Sequence, residues 1–297
     1  MNIGEKIKKL RLEKFMTQAE LAGNQITRNM LSLIEKGKAV PSLQTLVYLA
    51  DKLKVSVGYL LAKDEETVFF GKSEKISELR LAYSRQNYRI CLDLCQRLLA
   101  DVGEDDELNL LMADCCLEVA KEEFFFDHLR PACVFLDDVV RYAERSAYRT
   151  EHLVTEAALY FDYLENLSPS FVSECIDTSF LSEGYLSMKD EFCQYMLALK
   201  SLDSGEDRLV ELYLERVADR AHPLAKHIAA LICMDKGEYE MAANHLADVL
   251  RSDISVPGAV LYYVFGNMED CCRKLENQKN ATLYAEARAT QFERLLS

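Results

Sequence analysis

Residues 16–37 read MTQAELAGNQITRNMLSLIEKG, and residues 41–60 read PSLQTLVYLADKLKVSVGYL. Thr17 stands three residues before Glu20, the spacing of a capping box. It opens a helix that turns Leu21 and Ala22 inward, and Gly23-Asn24 ends that helix because both tolerate positive φ. Thr27 opens the next helix, which runs through Leu31 and Ile34 and stops at Gly37. Pro41-Ser42 starts a fourth, with Leu43, Leu46, Leu49, Ala50 and Leu53 inward, and Ser56 caps a short last helix over Val57 to Leu61. Upstream, Asn2 and Glu5 form another capping box, and Ile3, Ile7 and Leu10 recur at helical spacing. Five short helices are therefore expected within residues 1–62.

These stretches together, Met16 to Ala22, Ile26 to Gly37, Pro41 to Leu46 and Val55 to Leu60, resemble the XRE (lambda-repressor-like) helix-turn-helix family in order and spacing. The likeness covers almost all of residues 1–62. The turn from Gly23 to Ile26 is about one residue shorter than in the commonest form of the family, which rotates the recognition helix slightly. The resemblance implies that the helix after Thr27 enters the major groove with its N-terminal residues at base edges. Arg28, Asn29, Ser32 and Leu33 then point away from the face that carries Leu31 and Ile34. Arg28 can donate two bonds to guanine O6 and N7, and Asn29 can make the matching pair with adenine. Leu33 sits where relatives often carry a polar base reader; it can offer only apolar contact, for example to a thymine methyl. The alternatives are a phosphate contact for Asn29 and packing against a neighbour for Leu33.

Phosphate anchors are expected at helix starts and flanks: Thr17 and Gln18, Thr27, Lys36 and Lys38, and Ser42. For each lysine an ordinary solvated charge is the rival reading. In the resembling family the positions of Arg11 and Glu35 pair and tie the first helix to the recognition helix, a structural role.

Charge agrees with this division. Residues 1–63 hold 11 Lys and Arg against 5 Asp and Glu, whereas the whole chain of 297 residues is −14. A basic head on an acidic body is the asymmetry expected when one domain meets phosphates and the other is repelled by them. With 11 Gly and 5 Pro, and 49% hydrophobic residues, the chain has few helix breakers and ample core material. No apolar run reaches the roughly 18 residues of a membrane helix, and the first residues do not read as a signal peptide, so a cytoplasmic protein is expected.

Beyond residues 63–72, read as a short linker, helical pattern follows helical pattern. Segments 87–99, 206–218, 238–250 and 279–291 align with one another, each after a helix and a polar turn. Residues 225–250, with Lys236-Gly-Glu-Tyr239 at the turn, are similar to a tetratricopeptide repeat. Ser168-Pro169-Ser170 breaks the array and is expected to restart a helix. The expected fold is all-α: a five-helix head, then a tetratricopeptide-like α-solenoid over 73–297 whose concave groove is lined by the first helix of each pair. Candidate groove residues are Tyr160, Tyr163, Asn166, Tyr195, Tyr262 and Asn267, with packing between repeats the alternative for each aromatic.

Such a body behind such a head also resembles the peptide-pheromone-responsive regulators of Gram-positive bacteria, which implies homodimers that bind DNA and a short peptide. The rival is a ligand-independent repressor whose helical domain only dimerises or docks a partner protein. A plugged concave face would favour that rival; a wide polar groove would favour peptide sensing. No catalytic constellation, metal-ligand spacing or cofactor motif occurs, and the five histidines, His128, His152, His222, His227 and His245, are dispersed. The ten cysteines lack any Cys-x-x-Cys pair and are read as reduced thiols, with a redox role for a vicinal pair as the outside alternative. The chain is expected to be neither enzyme nor metalloprotein, to need no cofactor, and to have an operator duplex and a second copy of itself as partners.

Overall fold

The computed structural model describes residues 2–62, 64–178, 190–205, 210, 213–215 and 222–296. The described residues form helices and connecting turns, in two compact units, Met1–Asp105 and Asp106–Ser297.

The first unit begins with α1 (Ile3–Glu13), α2 (Gln18–Ala22), α3 (Arg28–Glu35), α4 (Leu43–Leu53) and α5 (Val57–Leu61). Every expected cap is made. The Asn2 carboxamide oxygen accepts from the Glu5 N–H at 2.9 Å while the Glu5 carboxylate accepts from the Asn2 N–H at 2.8 Å. Thr17 and Glu20 repeat the exchange at 3.2 and 2.6 Å. Thr27, Ser42 and Ser56 accept from Met30, Thr45 and Tyr59. Each cap satisfies a donor that the helix itself leaves unpaired. The inward faces meet in one core of Ile7, Leu10, Leu21, Leu31, Ile34, Leu46, Leu49, Leu53 and Leu60. Helices α1 and α3 pack so closely that a Cβ on Gly4 would lie 1.9 Å from the Ile34 carbonyl oxygen.

The unit continues with α6 (Asp64–Ser84) and α7 (Tyr88–Val102). Residues 64–72 of the expected linker are thus the first turns of a helix, and residue 63 lies outside the described residues. Leu79 and Ala82 on α6 are buried, as are Cys91, Leu92, Cys95 and Leu98 on α7. Lys72 pairs with Asp105 at 2.8 Å and Lys75 with Asp101 at 2.7 Å. The aligned segment 87–99 is therefore the second helix of a pair whose first helix, α6, begins inside the expected linker.

The second unit holds α8 (Asp106–Phe125), α9 (Leu129–Ala143), α10 (Glu151–Leu167), α11 (Glu191–Ser204), α12 (Pro223–Asp235), α13 (Tyr239–Arg251), α14 (Gly258–Lys274) and α15 (Gln278–Leu296). Helices α8 and α9, α12 and α13, and α14 and α15 pack as successive pairs. The aligned segments 238–250 and 279–291 are second helices of such pairs; segment 206–218 lies outside the described residues apart from 210 and 213–215. Helix α10 ends at the expected break, and no helix restarts before residue 178. The turn after α8 reaches far along the chain: Asp127, at φ +65°, accepts from the Gly258 N–H at 2.6 Å and so caps α14.

Candidate nucleic-acid interface and ligand pocket

Helix α3 is positioned by a buried ion pair. The Arg11 guanidinium donates to both oxygens of Glu35, at 2.6 and 3.1 Å, and to the Met16 carbonyl at 2.8 Å. Gln18 completes the cluster by donating its side-chain amide to Glu35 at 2.7 Å. One carboxylate thus ties together α1, the turn after it, α2 and α3. Both of its oxygens accept charge-assisted bonds, the condition under which a buried pair holds geometry.

With Leu31, Ile34 and Glu35 facing in, the rest of α3 faces out. Arg28, Asn29, Leu33 and Lys36 are exposed and Ser32 is half-buried. Lys38 and Ser42 lie exposed just beyond. Arg28, Asn29, Ser32, Lys36 and Lys38 make no side-chain hydrogen bond or ion pair within the described residues. The hydroxyls of Thr17, Thr27 and Ser42 are already used as caps, and the Gln18 side chain is held by Glu35. As phosphate anchors, Thr17, Gln18, Thr27 and Ser42 therefore have chiefly backbone N–H groups to offer, whereas the arginine, asparagine and lysines keep their full donor sets.

Residues 7–60 match the family model described as Helix-turn-helix. This segment is a helix-turn-helix domain. An immunity repressor protein of Bacillus phage phi105 is 32% identical over 93 residues, covering 29% of this chain and 65% of the relative. Among solved structures, this chain is similar at 16% identity to Bacillus thuringiensis PlcR, solved with the peptide PapR7 and DNA; the alignment covers 100% of this chain and 99% of that one, with a TM-score of 0.23. The apo form of the competence regulator ComR from Streptococcus vestibularis aligns at 18% identity over 94% of this chain and 97% of that one, with a TM-score of 0.27. The helix-turn-helix match begins and ends within the first unit.

In the second unit, α10, α11, α12 and α14 line a pocket of about 690 Å³. Three of the six expected groove residues are there: Tyr163, Asn166 and Asn267. The other three are not. Tyr160 and Tyr195 are buried among Phe124, Phe192 and Tyr213, with ring centroids 5.2 to 6.3 Å apart. Tyr262 turns to α15, where the Arg288 guanidinium sits 4.6 Å over its ring and donates to its hydroxyl at 3.0 Å. Its neighbour Tyr263 takes the pocket position instead. At helical spacing, adjacent tyrosines point about 100° apart, and which one faces the groove is set by the helix's rotation on its neighbours.

The pocket contains further polar groups, Asp162, Lys200, His227 and Asp235, beyond the expected groove residues. Asp162 and Lys200 pair at 2.7 Å, and Asn166 donates to the Asp162 carbonyl at 2.8 Å. His227 is fully buried between Tyr195, whose hydroxyl lies 2.6 Å from Nδ1, and Asn267, whose amide lies 2.9 Å from Nε2. Burial pushes its pKa down to about 4, so the imidazole is neutral near pH 7. Asp235 stands exposed at the rim. The signal available in the sequence was the spacing of Asp162 and Asn166, one turn apart on α10; nothing local marked His227.

All ten cysteines are free. Burial pushes Cys116 and Cys133 up to about 12, which suppresses the reactive thiolate. Among the described residues no helix is long and apolar enough to cross a membrane.

Proposed function

We propose that this chain is a sequence-specific DNA-binding transcriptional regulator, acting as a homodimer whose helical repeats sense a short peptide. The observation that carries the first part is the outer face of α3. Arg28, Asn29, Ser32 and Lys36 are held out by a buried ion pair and have no partner of their own within the described protein. Desolvating such donors is unfavourable unless acceptors replace water, and base edges with flanking phosphates supply them. Lys36 and Lys38 provide the salt-dependent, sequence-independent share of affinity. A dimer held by the repeats would set two such helices about 34 Å apart on an inverted-repeat operator.

The peptide reading is supported by the pocket rather than by the head. Its volume lies within the ~300–1,000 Å³ typical of small-ligand sites. Carboxamides of Asn166 and Asn267 and the Asp162–Lys200 pair suit the amides and termini of an extended peptide. The rival, a repressor that needs no ligand, fits an occluded groove better than an open one.

Two measurements test the proposal. Selection from random duplexes with the full-length protein should enrich an inverted repeat whose affinity falls steeply with salt; enrichment of nothing over random sequence ends the regulator reading. Native mass spectrometry of protein purified from its own host should give twice the chain mass plus a peptide. A bare dimer returns the rival, and a monomer removes the operator geometry.

A further inference from the structure

The outer face of α3 carries two apolar side chains, and neither the core nor a hydrogen-bonding role accounts for them. Met30 is 45% and Leu33 43% exposed. They are three residues apart, hence neighbours on the helix surface. Leu33 stands between Asn29 and Lys36 near the middle of the outward face, and Met30 extends the apolar strip toward one side of it. The Thr27 hydroxyl caps the Met30 N–H at 3.1 Å, which fixes the backbone from which that side chain projects.

We propose that Met30 and Leu33 act as a pair of methyl readers: each operator half-site presents thymine methyl groups at neighbouring positions of the major groove to these two side chains. The inference rests on the DNA-binding reading above and says which bases the helix selects. The major-groove edges of guanine, cytosine and adenine offer donors and acceptors, which an alkyl or thioether side chain would strip of water without repayment. The thymine C5-methyl is the apolar group on that edge, and covering it removes apolar surface from water on both sides. Arg28 and Asn29 then read hydrogen-bonding edges from the N-terminal end of the helix, while Met30 and Leu33 read methyls beside them. At the positions that Met30 and Leu33 face, such a helix specifies A·T pairs through the methyl group, with no bidentate contact there.

The test replaces thymine by deoxyuridine, one position at a time, in the duplex that full-length protein selects from random sequence. The exchange deletes a methyl and leaves every hydrogen-bonding edge intact. Affinity should fall about four-fold for each methyl that is read, the value of burying one such group. Leu33→Ala and Met30→Ala should each bind the thymine and uracil duplexes alike at its own position while keeping the discrimination at the other's. In a duplex where the read A·T pair is changed to G·C with the pyrimidine on the same strand, 5-methylcytosine should bind better than cytosine. Equal affinity for the thymine and fully uracil-substituted duplexes would overturn the proposal while leaving the regulator reading intact. Undiminished thymine preference in the Leu33→Ala, Met30→Ala double variant would overturn the assignment to these two residues. Failure to select any duplex would instead remove the DNA-binding reading, and this inference with it.

Discussion

Two buried polar clusters, one in each unit, are built on opposite principles. In the head, Glu35 is a charged hub: Arg11 and Gln18 fill its oxygens, and the Arg11 side chain also reaches the Met16 carbonyl. In the second unit, the Tyr195–His227–Asn267 chain is neutral, buried at its middle and bordering a pocket at the Asn267 end. A charged hub whose two oxygens both accept charge-assisted bonds holds its helices in place. A neutral chain that ends at a pocket can exchange a partner without leaving a bare charge behind. The difference teaches where rigidity and where recognition are placed: the head fixes one rigid helix and recognises with what lies outside it, whereas the second unit puts polar groups at the recognising surface itself.

Breaking the charged hub should give the largest effect. Glu35→Leu strands the Arg11 guanidinium among buried groups and should cost about 3–5 kcal/mol, read as lost hydrogen-exchange protection across α1 to α3 in the full chain. Adding Arg11→Met should restore most of it, because removing both charges removes the desolvation penalty. If the single change is as mild as the double, the hub is not what positions α3. On the outer face, Arg28→Ala should cost roughly 1–3 kcal/mol of operator affinity and relax preference at one base pair, with protection of α3 unchanged. Binding as tight and as selective as the parent would remove Arg28 from the reading set.

The neutral cluster is probed with acid. The unfolded chain binds a proton at His227 below about pH 6.5, whereas in the folded protein burial delays that proton to about pH 4. Between those values the unfolded state binds more protons, so stability of the second unit should fall as pH falls, by up to about 1.4 kcal/mol per pH unit. His227→Gln should flatten that slope, as urea unfolding at pH 7, 6 and 5 would reveal; an identical slope in the variant would mean that some other group carries it. The smallest effect belongs to the surface. Lys36→Ala should weaken binding to all sequences alike and reduce the salt slope by about 1. A slope that stays put excludes a phosphate contact there.

Much of the head was legible because its determinants are local. Capping boxes act over three residues, and Leu31 and Ile34 declare their face by periodicity alone, so the caps at Asn2, Thr17, Thr27, Ser42 and Ser56 could be named from spacing. The second unit was legible as helical pairs and much less so as a site. Three of its six expected groove residues line the pocket, and the choice of Tyr263 over Tyr262 depends on how α14 is rotated against α15. The expected linker, residues 63–72, overlaps α6, which begins at Asp64 and packs against α7.

What the amino-acid order determined by itself was where the five helices of the head begin and end, most of their apolar faces (Leu43, expected inward, is 69% exposed), and that a basic head precedes an acidic body. Those properties follow from hydrogen bonds and side-chain periodicity within a few residues. Only the tertiary structure decided that Gly4 must lack a side chain because the Ile34 carbonyl passes against it, that Gln18 turns to Glu35, and that His227 and Asn267 meet from helices 40 residues apart. Each of these depends on the distance and rotation between packed helices, which are set by the summed contacts of whole faces and leave no mark on any short stretch of chain.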